Sequence, residues 1–198
     1  MRSDLPRELR TGRLLLRRWR PEDRAPFRAM NADPVVMEHL PAYASPAQSD
    51  AFADRIEAHF ERHGFGLWAL EFPGALPFGG FVGLSVPSYE AFFTPCVEIG
   101  WRLSAAAQGH GFATEAALAA LAFGFERLGL PEIVSFTVPA NVRSRRVMEK
   151  LGMARDPAED FEHPALPAGH PLRAHVLYRI RPTARRGLER GPELDRGE

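Results

Sequence analysis

Gln108-Gly109-His110-Gly111-Phe112-Ala113 sets two glycines directly ahead of an alanine-rich stretch, ATEAALAALAF. Glycine costs conformational entropy, so bare backbone at that point needs a use. The first amides of a helix lack internal partners and carry the positive end of its dipole. Glycines there remove the Cβ atoms that would hold a phosphate off the backbone. Other phosphate loops do not match. A P-loop ends in GK[ST], which this stretch lacks, and a dinucleotide fingerprint has a third glycine where Thr114 stands. Taken alone, the stretch reads equally as a phosphate cradle or as an ordinary strand-to-helix turn.

The elements around it follow from periodicity and punctuation. RLLLRRW (13–19) is β-like, and Pro21 opens a helical segment, PEDRAPFRAMN, with acids in its first turn. Residues 45–64 form the clearest amphipathic helix of the first half. Ser45 stands at its N-cap and Gly64 at its end, and Phe52, Ile56 and Phe60 share one face. Three β-like runs follow at 65–72, 78–89 and 96–103, with short turns that favour an antiparallel meander. A helix over 113–130, a strand over 132–138, a helix over 142–152 and a strand over 173–180 complete the order. The chain reads as α/β (α+β): antiparallel in its first half, with strand–helix–strand units in its second.

Bulk properties narrow the function classes. The chain has 198 residues, of which 45% are apolar, enough for one core. Formal net charge is zero, so nothing points to nucleic acid or an anionic membrane as partner. Cys96 is the one cysteine, which excludes a disulfide within the chain. The N-terminal residues lack the apolar core of a signal peptide, and no stretch is long enough to cross a bilayer. A soluble, cytoplasmic protein is the expectation.

VEIGWRLSAAAQGHGFATEA followed by NVRSRRVMEKLGM resembles the GNAT (general N-acetyltransferase) superfamily, most of all its ribosomal-protein alanine N-acetyltransferase branch. The cofactor signature Q/R-x-x-G-x-G/A reads Gln108, Gly109, His110, Gly111, Phe112, Ala113. The second signature appears as Asn141, Ser144, Glu149, Lys150, Leu151, Gly152, Met153. The likeness runs from about Thr11 to Arg181 and includes the opening T-x-R-L-x-L-R-x-W. It implies the GNAT fold, a mixed, mostly antiparallel central sheet with splayed middle strands and flanking helices. It also implies acetyl-CoA as cosubstrate, without a metal. Residues 11–181 would be the domain, 1–10 an N-terminal extension and 182–198 a disordered tail.

The resemblance assigns roles. Residues 108–114, Thr114 included, would hold the pyrophosphate of CoA. The pantetheine arm would lie beside Glu98, Ile99, Gly100, Trp101, Arg102 and Leu103, in a gap between that strand and EIVSFTV. Pantetheine amides would there satisfy backbone groups that the splay leaves unpaired. Glu98 is the candidate general base, through water, against a structural carboxylate paired with arginine. Ser144 is the candidate donor to the leaving thiolate, against a hydrogen bond at the start of its helix. Many relatives carry a tyrosine acid four residues further on; Met148 stands there and cannot donate. Tyr178 is a distant alternative, better explained by packing. Asn141 would order the turn before the helix of Ser144 and bond pantetheine, against a plain N-cap role; the two are compatible. Arg146, in the charge run with Arg143 and Arg145, is a candidate for a CoA phosphate. Lys150 suits the helix dipole without further role.

Three further features stay outside that scheme. His163, His170 and His175 lack metal-ligand spacing, and their proline-rich loop, 156–172, reads as a substrate-side segment. Cys96 reads as a strand residue, not a nucleophile. Tyr89, Phe92 and Phe93 mark a candidate homodimer or substrate surface. The functional expectation is acetyl transfer to a primary amine, a protein N-terminus or a small amine, directly in a ternary complex. The alternative is an acyl-CoA-binding sensor that keeps the fold without catalysis.

Overall fold

The computed structural model describes residue 6, residues 8–41 and residues 45–182. The expected N-terminal extension therefore lies mostly outside the described residues, and the expected tail does so apart from Pro182.

Two short strands come first, β1 (Leu9–Arg10) and β2 (Leu15–Arg17). A 3-10 turn at Pro21–Asp23 then leads into α1 (Arg24–Ala32) and α2 (Pro34–Met37). The long helix α3 (Pro46–His63) ends where Gly64 turns left-handed, φ 76°, and returns its N–H to the Phe60 carbonyl. Ser45 holds the N-cap position of α3, but its hydroxyl makes no bond to the helix amides. The meander β3 (Leu67–Glu71), β4 (Gly80–Ser85) and β5 (Glu98–Leu103) follows. Then come α4 (Phe112–Glu126), β6 (Ile133–Thr137) and α5 (Val142–Lys150). Two-residue strands β7 (Ala154–Arg155) and β8 (Phe161–Glu162) precede β9 (Ala174–Ile180).

Among the described residues one sheet runs β1-β2-β3-β4-β5-β6-β9-β7, with β8 also on β9. All these pairs are antiparallel except β5 with β6. That parallel pair touches at Glu98↔Val134, backed by the Val134 N–H to the Val97 carbonyl at 2.9 Å. Beyond it no further register pair joins β5 and β6 among the described residues, so the sheet opens there. The expected elements are all present; the short helix α2 and the strands β1, β7 and β8 are additional. Each of these three strands is two residues long and exists through pairing, not through local propensity.

Both faces of the sheet are covered. On one, a Cβ built on Gly124 of α4 would lie 2.7 Å from Ile133 and 3.0 Å from Leu84, so the bare glycine lets the helix approach. On the other, Phe27 of α1 and Phe52 of α3 meet Phe81 of β4 edge-on at 6.1 and 5.9 Å. Alternation sends β5 side chains to both. Trp101 bonds Ser144 of α5 on the first face, and Arg102 bonds Asn31 of α1 on the second.

A buried ion cluster ties the first strands to this frame. The Arg17 guanidinium grips both oxygens of Asp23 at 2.7 and 2.9 Å and donates to Glu71 at 2.6 Å. The Arg17 and Asp23 side chains are both 3% exposed. Removing one partner of a buried pair strands the other's charge, which costs about 3–5 kcal/mol. Asp23→Ala is expected to lose about 3 kcal/mol of unfolding free energy in urea titration, near the lower end because Glu71 remains. A loss below about 1 kcal/mol would show that Glu71 suffices alone.

Candidate active site

The opening between β5 and β6 leads into a cavity of about 1280 Å³ that reaches both faces of the sheet. Every candidate cofactor residue lines it except His110, whose ring stacks on Phe112 at 5.6 Å. Glu98 and Ser144 line it as well.

The glycine loop forms one wall. Gly109 and Gly111 have φ of 82° and 80°, a region that favours glycine over any residue with a Cβ. Their conformations leave the amides from Gly109 to Thr114 without a hydrogen-bond acceptor among the described residues. Both ends of the loop are fastened. The Gln108 amide group donates to the Leu103 carbonyl at 3.1 Å and accepts from Arg143 at 3.1 Å. At the other end, Glu115 accepts from Thr11 at 2.5 Å and from Arg13 at 2.7 Å, and Arg13 also reaches the His110 carbonyl. A row of unsatisfied donors on a fastened loop suits a pyrophosphate. Along α5, Arg143, Arg146 and Lys150 follow at i, i+3 and i+7 on the cavity wall. Arg146 and Lys150 have no hydrogen-bond or ion-pair partner among the described residues.

Candidate acid and base sit on opposite faces of β5. Glu98 is half-buried, and desolvation pushes its carboxyl up to about 8, although the Ser85 hydroxyl donates to it. No arginine pairs with it among the described residues, so the structural alternative of an arginine-paired carboxylate does not hold. Ser144 lies on the α5 side. Its N–H donates to Asn141 Oδ1 at 3.1 Å, and Asn141 Nδ2 donates to Thr137 Oγ1 at 3.1 Å. The Ser144 hydroxyl accepts from Trp101 Nε1 at 3.3 Å. Among the described residues no acceptor takes the Ser144 hydroxyl proton, which can therefore be donated elsewhere.

Other expectations are sharpened or corrected. The Arg102 side chain does not follow the pantetheine-side residues. It points to α1, where it donates to Asn31 Oδ1 at 2.6 Å, because even-numbered β5 positions face that way. Met148 is buried and Tyr178 packs between Arg145 and Glu149. Phe93 is not on the surface. It packs on Phe161 at 4.8 Å, and Tyr89 lies half-buried on His163, which leaves Phe92 exposed. His163 and His175 are ring neighbours at 5.0 Å in this aromatic cluster, where burial lowers both pKa values. Among the described residues no group of three or more His, Cys, Asp or Glu is placed to hold a metal. The Cys96 thiol is pushed up to about 11 by burial and by Glu98, so it stays protonated at neutral pH.

Two features escaped the sequence reading. The Thr11–Arg13–Glu115 clamp was foreshadowed by the opening T-x-R. The cavity face of α3 carries Arg55, His59 and Arg62, whose spacing is helical.

Comparison with known proteins now decides the family: the profile described as acetyltransferase (GNAT) domain matches residues 13–154. The chain belongs to the GNAT acetyltransferase family. It is 30% identical over 170 residues to a Bacillus subtilis protein called uncharacterized N-acetyltransferase YnaD, covering 86% of this chain and 94% of that one. Solved structures with the same GNAT fold include the ribosomal-protein-S5-alanine acetyltransferase from Vibrio fischeri. There the TM-score is 0.69 at 16% identity, over 88% of this chain and 96% of that one. Mycobacterium smegmatis RimJ, solved in complex with CoA-disulfide, gives 0.69 at 22% identity, over 88% and 85%. Among the described residues no helix of this GNAT protein is long and apolar enough to cross a membrane.

Proposed function

We propose that this GNAT acetyltransferase uses acetyl-CoA and transfers the acetyl group directly to a primary amine, within a domain spanning residues 11–181. The observation that carries the reading is the cavity itself. One space joins a row of unpartnered amides, the opening of the sheet, and a proton acceptor and a proton donor on opposite sides of β5. Acetyl-CoA supplies the activated acyl group and the thiolate that leaves.

The chain's own residues do the rest. Amides 109–114 hold the pyrophosphate, and Arg146 with Lys150 faces further phosphate. Free backbone groups of β5 and β6 receive the amide-rich arm. Glu98 accepts the amine proton, directly or through water. Its raised pKa, about 8, matches an α-amino group at about 7.7–8.0, which suits transfer between them near neutral pH. Ser144, held by Asn141 and Trp101, donates toward the sulfur.

Ser144→Ala is expected to lower kcat about tenfold with the KM for acetyl-CoA nearly unchanged, in a thiol-release assay. General acids contribute about 10²–10⁴-fold, and solvent replaces part of that here. An unchanged kcat would remove Ser144 from proton transfer. The broader test is thermal stabilisation by acetyl-CoA: its absence at millimolar concentration would overturn the reading. Buried Met148, at the place of the relatives' tyrosine, favours one alternative, a sensor without catalysis. Acetyl-CoA binding with no acetylation across a broad amine panel would select it.

A further inference from the structure

The second face of the cavity has its own charge pattern. Arg55, His59 and Arg62 of α3 line it at i, i+4 and i+7, one stripe along the helix. His59 lends no charge to this stripe. The Val86 N–H donates to its Nε2 at 3.0 Å, so the ring proton is on Nδ1, which faces the Phe65 carbonyl at 2.9 Å. Burial and the nearby Arg62 lower its pKa further. The same bond fixes where the stripe lies. Val86 follows Ser85, whose hydroxyl bonds Glu98. The stripe therefore runs beside the candidate base.

Arg55 and Arg62 pair with no carboxylate among the described residues, and the Arg55 guanidinium rests over the Phe52 ring at 5.3 Å. The acids of α3 are used elsewhere. Asp50 binds Arg28, Asp54 binds Arg24, and Glu57 and Glu61 bind Arg18. Arg102 adds a third cation on this face, held by Asn31. Among the described residues, the other carboxylate lining the cavity besides Glu98 is Glu38, which is exposed beside His39. A cation-rich wall around a single base repels a polycation and leaves two guanidiniums facing the cavity without a counter-charge.

We propose that the acceptor is a primary amine whose own molecule carries a carboxylate or phosphate, which Arg55 and Arg62 receive while Glu98 faces the amine. The inference rests on the acetyl-CoA reading above and names the class of acceptor for that same site. Guanidinium forks match both anions, so the chemistry is shared between the two sources.

The test uses the full chain, acetyl-CoA and matched acceptors. Free amino acids are compared with their carboxamides, phosphoethanolamine with ethanolamine, and dipeptides ending in Asp with those ending in Asn amide. Spermidine and kanamycin serve as polycations. The anionic member of at least one pair should exceed its neutral partner tenfold or more in kcat/KM, with the polycations poorest. Which pair responds tells carboxylate from phosphate, and a small acceptor from a peptide. Arg55→Ala and Arg62→Ala should each raise the KM of that anionic acceptor about tenfold and collapse its advantage; Arg55→Lys should recover part of it. Equal use of acids and neutral partners, or a preference for polycations, would overturn the proposal. So would Arg variants that slow both members of a pair alike. Thermal shift with acetyl-CoA, run in parallel, separates the two readings. Loss of cofactor binding sinks both, whereas intact binding with the wrong acceptor preference sinks this one alone.

Discussion

Glu98→Gln is expected to lower kcat at least 100-fold while acetyl-CoA still stabilises the protein against heat. The replacement keeps the size of the side chain and an acceptor oxygen for the Ser85 hydroxyl. It removes the proton acceptor, and general bases contribute about 10²–10⁴-fold. The pH profile gives a second readout. The carboxyl is held at about 8, so it is mostly protonated at pH 7 and ionises as pH rises. The rate of the native enzyme should climb through that range and level above it, and the Gln variant should lose this limb. Stability should move the other way. A carboxyl raised from 4.5 to about 8 keeps a proton in the folded state that the unfolded state releases. Its contribution is whole below about 4.5 and lost as pH approaches 8. Above that, folding carries a desolvated carboxylate. Glu98→Gln should therefore melt several degrees above the native protein at pH 8.5, and the gap should close toward pH 4. A variant that keeps full turnover, or loses stability at high pH, would show that Glu98 is structural.

That position is costly because of where the sheet opens. Among the described residues Glu98 is the one β5 residue in register with β6, so it sits at the apex of the gap with strands on both sides. The resemblance carried by EIGW and by N-x-x-S points to Glu98 and to Asn141. The glycine loop, α4 and β6 follow from local rules, periodicity and glycine punctuation. Other features are set by distance along the chain. Arg13 meets Glu115 across 102 positions, and Arg17 meets Glu71 across 54. Phe93 looked exposed because its loop carries polar residues and prolines; its burial depends on Phe161, far along the chain. Arg102 was grouped with its strand neighbours, although period-2 alternation alone separates it from Trp101. The basic stripe of α3 was legible in principle. Phe52, Ile56 and Phe60 mark that helix's buried face, and Arg55, His59 and Arg62 recur one position before the second and third of them and two after the last.

Gly109→Ala and Gly111→Ala are each expected to weaken acetyl-CoA binding about tenfold, and together about 100-fold. Space does not forbid them. A Cβ at Gly109 meets nothing within 4 Å, and one at Gly111 lies 3.7 Å from the Arg13 guanidinium. The objection is backbone strain, about 1–2 kcal/mol for a side chain held left-handed. The loop cannot slide to relieve it, because Leu103 and Arg143 hold Gln108, and Thr11 and Arg13 hold Glu115. Relief must come from rotating the peptide planes between those ends, which turns the free amides away from a common ligand. Gly129 and Gly152 provide the control. Their φ values are 66° and 77°, and each likewise has nothing within 4 Å of a built Cβ. Both lie just beyond helix ends and neither lines the cavity. Alanine there should lower the melting temperature by a few degrees and leave the KM for acetyl-CoA unchanged. If all four variants lose stability alike and none changes KM, the glycines at 109 and 111 only turn the chain. If the KM effect is confined to those two, the loop is a cradle, because strain of the same kind elsewhere does not touch the ligand.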